Sequence, residues 1–253
     1  FYLMKPTTYQ DNFYEYHLQG ALASAGAIIP LVQEYVHPNS VIDIGCGIGA
    51  WLSVWEKRGV KEIKGVDGAY VDKKQLLIDV NNFEDFNLEQ GYKSNKRYDI
   101  VTCLEVAEHL PAKSAELFVE SLCALSDVVL FSAAIPAQEG TMHINEQFHE
   151  YWGAIFAHKD CVAVDCLRPK IWNNTKIQWW YRQNIMFFVK ESALANYPKL
   201  KELALSKGQK VMSLVHPEML KEKIQKINYY ESILHSGKAT LKYFVDNLFK
   251  KKS

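Results

Sequence analysis

"VIDIGCGIGAW" occupies residues 41–51 and decides how the rest of the chain is read. Val41, Ile42 and Ile44 surround Asp43 in a short apolar run that reads as a buried strand. Gly45, Gly47 and Gly49 follow at every second position, and the chain then turns helical. Glycines at this spacing allow tight turning and close approach of backbone to a ligand, which a Cβ would obstruct. The start of the following helix offers free N–H groups. Asp67 closes the next strand-like run, "EIKGVD" (62–67), 22 residues after Gly45. A carboxylate there can accept hydrogen bonds from both hydroxyls of a ribose. These features describe a site for an adenosine-containing cofactor. "GCGIGA" also satisfies the loose G-x-G-x-x-G/A dinucleotide pattern, so NAD is the competing ligand. Asp43 argues against it. A carboxylate two residues before the first glycine is poorly placed beside a pyrophosphate and well placed beside a cationic amino-acid moiety.

Outward from this stretch, strands and helices alternate. Residues 13–37 read as helix, with possible interruptions at Gly20, Gly26 and Pro30. "AWLSVWEKRG" (50–59) is an amphipathic helix closed by Gly59. A third strand ends in "NFEDFNL" (82–88), and "YDIVTCLEV" (98–106) is the fourth. Pro111 opens a helix to about Leu125. "DVVLFSAA" (127–134) is the fifth strand. This order implies right-handed crossovers and a parallel sheet covered on both faces, with ligands at the carboxyl ends of the strands. The expected domains are an N-terminal helical cap (1–39), a core (40–195) with an acceptor region at about 136–182, and a basic helical extension (196–253) with breaks near Gly208, Pro217 and Gly237.

Composition bounds the function. The 253 residues have zero formal net charge, which gives no global attraction to nucleic acid. Residues 196–253 nevertheless hold 12 Lys against 5 acids, a solvated helical face or a surface for an acidic partner or membrane; the apolar spacing of the tail also allows a dimer contact or a biosynthetic partner. Five cysteines, with no CxxC, fall largely in apolar runs and suggest reduced thiols in a cytoplasm. No apolar run approaches the ~20 residues of a membrane span, and no signal peptide is expected.

"VIDIGCGIG", "GVDG" (65–68) and "YDIVTCLEVAEHLP" (98–111), in this order, resemble the motifs of class I S-adenosylmethionine-dependent methyltransferases. The resemblance implies a Rossmann-like, doubly wound, seven-stranded sheet, mostly parallel, its final hairpin supplied by "CVAVDCLRP" and "NIMFFVK" and bringing one antiparallel strand. It implies S-adenosylmethionine as cofactor and S-adenosylhomocysteine as product. Gly45, Cys46, Gly47 and Gly49 would line the methionine and ribose portion, with Asp43 near the amino group. Asp67 and Gly68 would hold the ribose, Asn87 and Leu88 the adenine, and Leu104 and Glu105 would flank the cofactor.

A narrower resemblance lies in "LFSAAIPAQEGTMHINEQFHEYW" (130–152) and "LRPKIWNNTKIQWWYRQNIMFFV" (167–189), which are similar to a bacterial methyltransferase group associated with capsule and surface-polysaccharide biosynthesis. It implies a small polar acceptor: a sugar, a nucleotide sugar or a phosphoramidate. The residues point the same way. His143 is the first candidate base and His109 the second, since imidazole titrates near the required pH. Asn145, Glu146, Trp152, Arg168, Trp172, Tyr181 and Arg182 are the candidate acceptor contacts, because Arg binds phosphate bidentately and aromatic faces stack on sugars or bases. No metal is expected: "HINEQFH" sets His143, Glu146 and His149 at three-residue steps but is not HExxH. N-methylation of an amino sugar and an NAD-dependent oxidoreductase are the alternatives. The absence of an NPPY- or DPPY-like motif after the fourth strand weighs against nucleic-acid bases.

Overall fold

The computed structural model describes residues 7–204 and 211–250. The chain forms two compact units, the first ending at Leu214 and the second starting at Val215. Seven strands build the first: β1 (Ser40–Ile44), β2 (Glu62–Asp67), β3 (Phe83–Asp85), β4 (Ile100–Leu104), β5 (Val128–Ser132), β6 (Cys161–Val164) and β7 (Met186–Lys190). They form one sheet in the order β3-β2-β1-β4-β5-β7-β6. Every pairing is parallel except those of β7, which runs antiparallel to β5 and to β6. The Rossmann-like, mostly parallel sheet is thus as the sequence motifs imply.

Strand alternation divides the core into two layers, since successive side chains point to opposite faces. Val41 packs with Ala25, Ile28, Ile29 and Val32 of α1 (Thr7–Gln33) and with Leu52 and Trp55 of α2 (Ala50–Lys57). Ile42 and Ile44 pack on the opposite side with Phe118, Val119 and Leu122 of α3 (Ala115–Leu125) and Phe156 of α4 (His149–His158). Burying both faces explains why the strands read as nearly continuous apolar runs. The site lies where the strand order reverses. β1 sits between β2 and β4, and the chain crosses back over it after β3, which opens a crevice at the carboxyl ends.

Several boundaries differ from expectation. α1 runs unbroken through Gly20, Gly26 and Pro30, its face fixed by the core. A Cβ at Gly20 would meet the side-chain amide of Gln178 at 2.0 Å, so that side chain packs directly on the helix backbone there. This helix belongs to the same compact unit as the sheet. So does the short α7 (Pro198–Leu203), whose Leu200 is fully buried. Between them in the chain lie α5 (Arg168–Ile171) and α6 (Trp179–Asn184). Pro111 is extended, and α3 begins only after a 3-10 turn at Ala112–Ser114. The expected break near Gly208 lies outside the described residues. The second unit is α8 (Pro217–Lys250), which opens at Pro217 and continues through Gly237 without the expected interruption. One glycine costs a helix only about 1 kcal/mol, which a helix of this length tolerates. Among the described residues no helix is long and apolar enough to cross a membrane.

Candidate active site

The turn after β1 is left-handed at Gly45 (φ 82°), Gly47 (φ 54°) and Gly49 (φ 83°). Two of these positions do different work. A Cβ on Gly45 would sit 2.3 Å from Val106 Cγ2, so Gly45 lets the β1 turn press against the chain leaving β4. A Cβ on Gly47 would meet nothing within 4 Å, because Gly47 faces an open cleft of about 1160 Å³. Gly49 precedes the first turn of α2, and its backbone packs beside Ile78.

Gly45, Gly47, Asp67, Gly68, Asn87, Leu88 and Glu105 all line this one cleft. The Asp67 carboxylate lines the cleft as a hydrogen-bond acceptor. Its Oδ2 accepts from the Gly47 amide (2.6 Å), and its Oδ1 accepts from the Gly68 amide (2.6 Å) and the Tyr70 hydroxyl (2.5 Å). A ribose diol presents the donors that Tyr70 supplies here. Asn87 caps the next 3-10 turn through its side-chain oxygen, and Leu88 is buried at the cleft wall. Asp43, Cys46 and Leu104 lie behind the lining. Asp43 is 4% exposed and accepts a hydrogen bond from Thr102 Oγ1 at 2.6 Å. Burial pushes its pKa up to about 7; the Thr102 bond opposes the rise, and the charge of Asp67 adds to it. Cys46 packs against Gly65, where a Cβ would come within 2.7 Å of its Sγ.

The other half of the site follows β4. Glu105 takes a left-handed conformation (φ 57°), an arrangement that costs a residue with a Cβ about 1–2 kcal/mol. Its amide donates to the Ser132 carbonyl (2.9 Å) and hydroxyl (3.1 Å), and its carboxylate accepts from Gln138 Nε2 (2.7 Å) and Asn184 Nδ2 (3.0 Å). Burial raises the Glu105 pKa despite these bonds. The next 3-10 turn, Ala107–His109, carries Glu108 inward and His109 to the cleft. Burial lowers the His109 pKa, and neighbouring His143 lowers it further. The two imidazoles meet edge to face with centroids 4.8 Å apart. His143 Nδ1 lies 2.9 Å from Glu146 Oε1, while Glu146 also accepts from the amides of Ala137 (2.8 Å) and Glu139 (2.7 Å). Glu146 therefore orders the 137–146 loop and orients His143.

The expected acceptor contacts divide. Asn145 is buried next to the histidines' turn, its amide donating to the Glu108 carbonyl (3.0 Å) and its Oδ1 accepting from Gln147 (3.0 Å). Tyr181 is buried against Trp51, 5.3 Å between centroids, and feels the charges of Glu105 and Asp43. The others lie elsewhere. Trp152 is 2% exposed and packs on Phe131 in the core. Arg168 is fully buried, paired through two nitrogens with Asp165 (2.9 and 2.6 Å) and donating to the carbonyls of Gln183 (3.2 Å) and Met212 (3.0 Å). Arg182 is buried and donates to the Trp172 carbonyl (3.1 Å), tying α6 to the segment after α5. These arginines hold the fold together. His149 starts α4 and is buried near Arg168, where burial lowers its pKa to about 3. Glu108, Gln138 and Asn184 escaped the sequence reading. Their signal was weak: polar residues next to apolar strands, inward-pointing only because of the turns that carry them.

Comparison with known proteins agrees with this geometry. Residues 14–195 match a family model described as a methyltransferase domain. Over 102 residues the chain is 29% identical to a ubiquinone biosynthesis O-methyltransferase of Neisseria meningitidis, covering 35% of this chain and 43% of that protein. It is 30% identical over 108 residues to the protein of that name from Salmonella enteritidis, covering 37% and 44%. It thus spans less than half the length of these curated relatives. The methyltransferase domain of the bacterial protein CtHen1 superposes with a TM-score of 0.50 at 21% identity, over 68% of this chain and 97% of that one, and shares the fold. The glycine turn, the seven-stranded sheet order and a family match running from α1 past β7 converge: the chain belongs to the methyltransferase-domain family and has the class I, S-adenosylmethionine-dependent form of it.

Proposed function

We propose that this protein O-methylates a small hydroxylated acceptor, a sugar or nucleotide sugar of surface-polysaccharide biosynthesis. The observation that carries this reading is the His109–His143 pair, in which His109 lines the cofactor cleft and His143 stacks edge to face on it. S-adenosylmethionine, when bound, supplies a methyl group on a sulfonium; the new O–C bond forms as the C–S bond breaks, and the acceptor's hydroxyl proton must leave. The chain's task is alignment and proton management. The Gly45–Gly47 turn, Asp67 and Asn87 would hold the cofactor. Glu105, fixed by Gln138 and Asn184, is a rigid wall at the reaction centre. Positioning of this kind supplies up to ~7–11 kcal/mol, and a group that receives or weakens the acceptor proton adds about 10²–10⁴-fold.

A hydroxyl fits better than a strongly anionic phosphoramidate. Arg168 and Arg182, expected to clamp an anion, are spent on structural partners, while Asp67, Asp85, Glu89 and Glu105 line the cleft. The capsule assignment rests on the sequence blocks at 130–152 and 167–189, and the O-methyl outcome gains support from the names of the curated relatives. Five buried cysteines without a disulfide support a cytoplasmic site of action. Leu220, Ile224, Ile227 and Leu234, exposed at four-, three- and seven-residue steps along α8, support a contact with a second copy or a biosynthetic partner.

The test is methyl transfer from labelled S-adenosylmethionine to panels of sugars, nucleotide sugars, phosphoramidates and amino sugars. Label in an alkali-stable ether of a sugar, with kcat lowered about 10²–10⁴-fold in His143→Ala, is the expected result. Label on nitrogen, on a phosphoramidate, or in macromolecules alone would overturn the acceptor assignment.

A further inference from the structure

We propose that Glu108, His109 and His143 form a binding site for a divalent transition-metal ion at the acceptor side of the cofactor cleft. Each residue offers one ligand atom, and the three atoms lie within 4.8 Å of one another. Two chain segments meet to make the group. Glu108 and His109 come from the 3-10 turn after β4, and His143 from the loop after β5; the amides of Ile144 and Asn145 lock the two together by donating to the Glu108 carbonyl (2.9 and 3.0 Å).

Glu108 gives the strongest reason to expect an ion. It is completely buried, yet neither carboxylate oxygen meets a donor in hydrogen-bonding geometry. A buried carboxylate left in that state is costly unless it is paired, protonated or bound to a metal. Its surroundings add negative charge, from Glu105 and from Glu146. A cation is the partner such a pocket lacks.

The outer contacts of the histidines suit the same ligand. His109 Nδ1 faces the Met142 carbonyl at 3.3 Å, and His143 Nδ1 faces Glu146 Oε1 at 2.9 Å. An acceptor at Nδ1 keeps the proton there and leaves Nε2 as a bare lone pair. This carbonyl- or carboxylate-backed imidazole is the usual arrangement of a metal-bound histidine. Two imidazoles and one carboxylate suit Zn²⁺, Mn²⁺, Co²⁺ or Fe²⁺ and leave coordination positions open. An acceptor hydroxyl bound there would lose its proton more readily, and the ion would supply the positive charge that the buried arginines do not. His143 then holds the ion instead of taking the proton itself. That catalytic purpose rests on the hydroxyl-acceptor reading; the binding of the ion does not.

The test uses Mn²⁺ and Zn²⁺ alone, with no acceptor. Purified protein, stripped with chelator, is dialysed against each ion and bound metal is counted by mass spectrometry, with S-adenosylhomocysteine affinity measured in parallel. One ion per chain is expected. Glu108→Gln and His143→Ala should each weaken ion binding at least about 100-fold, and Glu146→Gln by about 10- to 100-fold, while S-adenosylhomocysteine affinity changes less than threefold. His143→Ala removes a half-buried loop side chain, so it reports even if Glu108→Gln fails to fold. No bound ion at millimolar concentration, or unchanged binding in His143→Ala, would overturn the site. Ion binding without methyl transfer to any sugar would leave the site standing and refute the acceptor reading.

Discussion

Cofactor affinity should depend on pH through Asp43. This carboxyl is 4% exposed, with one strong hydrogen bond, from Thr102 at 2.6 Å, and Asp67 nearby. Burial sets its pKa at about 7 in the cofactor-free protein. We propose that the cofactor's cationic α-ammonium approaches Asp43, so that binding favours the form with Asp43 ionised. At pH 5.5 only about 3% of the protein is in that form, and at pH 7.5 about 75%. Apparent affinity scales with the competent fraction, so S-adenosylhomocysteine should bind about 25-fold more tightly at pH 7.5 than at pH 5.5. The upper limit stays at 7.5 because an α-amino group itself loses its proton near pH 8. The same shift has a consequence for stability. The folded pKa is raised, so the folded protein keeps a proton that the unfolded chain releases above about pH 4. Stability from this group is therefore highest at low pH and falls by about 4 kcal/mol as pH rises from about 4 to 7. Calorimetric titration from pH 5.5 to 7.5 provides the assay, with Asp43→Asn as the control that subtracts other titrating groups. An equal pH slope in the Asn variant, or tighter binding in acid, would refute the argument.

Gly45→Ala and Gly47→Ala should separate folding from binding. Both positions are left-handed, at about 1–2 kcal/mol for a residue with a Cβ. Only Gly45→Ala also drives a methyl group into Val106, so its Tm should fall well below that of Gly47→Ala. Gly47→Ala should stay folded and lose S-adenosylhomocysteine affinity; equal melting temperatures would contradict this. Tyr70→Phe should tighten cofactor binding about 2- to 12-fold, because the Tyr70 hydroxyl competes for Asp67 Oδ1 and one net hydrogen bond is worth about 0.5–1.5 kcal/mol. Weaker binding in that variant would mean that the hydroxyl serves the bound state. Arg168→Lys should lower stability in urea by about 1–3 kcal/mol, through loss of its two-nitrogen pairing with Asp165, and leave the acceptor KM within twofold. A large KM change without loss of stability would return Arg168 to the acceptor site.

The structural features legible in the sequence are those that depend on immediate neighbours. Gly45 and Gly47 announce a turn, Asp67 ends an apolar run, and "YDIVTCLEV" is apolar because both faces of β4 are covered. Residues whose role depends on distant chain could not be read in this way. Arg168 has the composition of an anion clamp, and only its partners Asp165, Gln183 and Met212 reveal a structural post. Trp152 has the composition of a stacking platform, and only the approach of Phe131 turns it into core. Glu108 lies in the open within "LEVAEHLP", yet nothing local says that the turn carries it into a buried position beside His143, 35 residues later in the chain. Gly237 fails the opposite way: a strong local breaker signal is overridden by a long helix.

The central claim is that the cleft above β1, β2 and β4 is an S-adenosylmethionine site, and calorimetric titration with S-adenosylhomocysteine tests it most directly. The account predicts one site per chain, no heat from NAD, and at least tenfold weaker binding in a folded Asp67→Ala variant. Equal affinity in wild type and Asp67→Ala, or binding of NAD in place of S-adenosylhomocysteine, would contradict it.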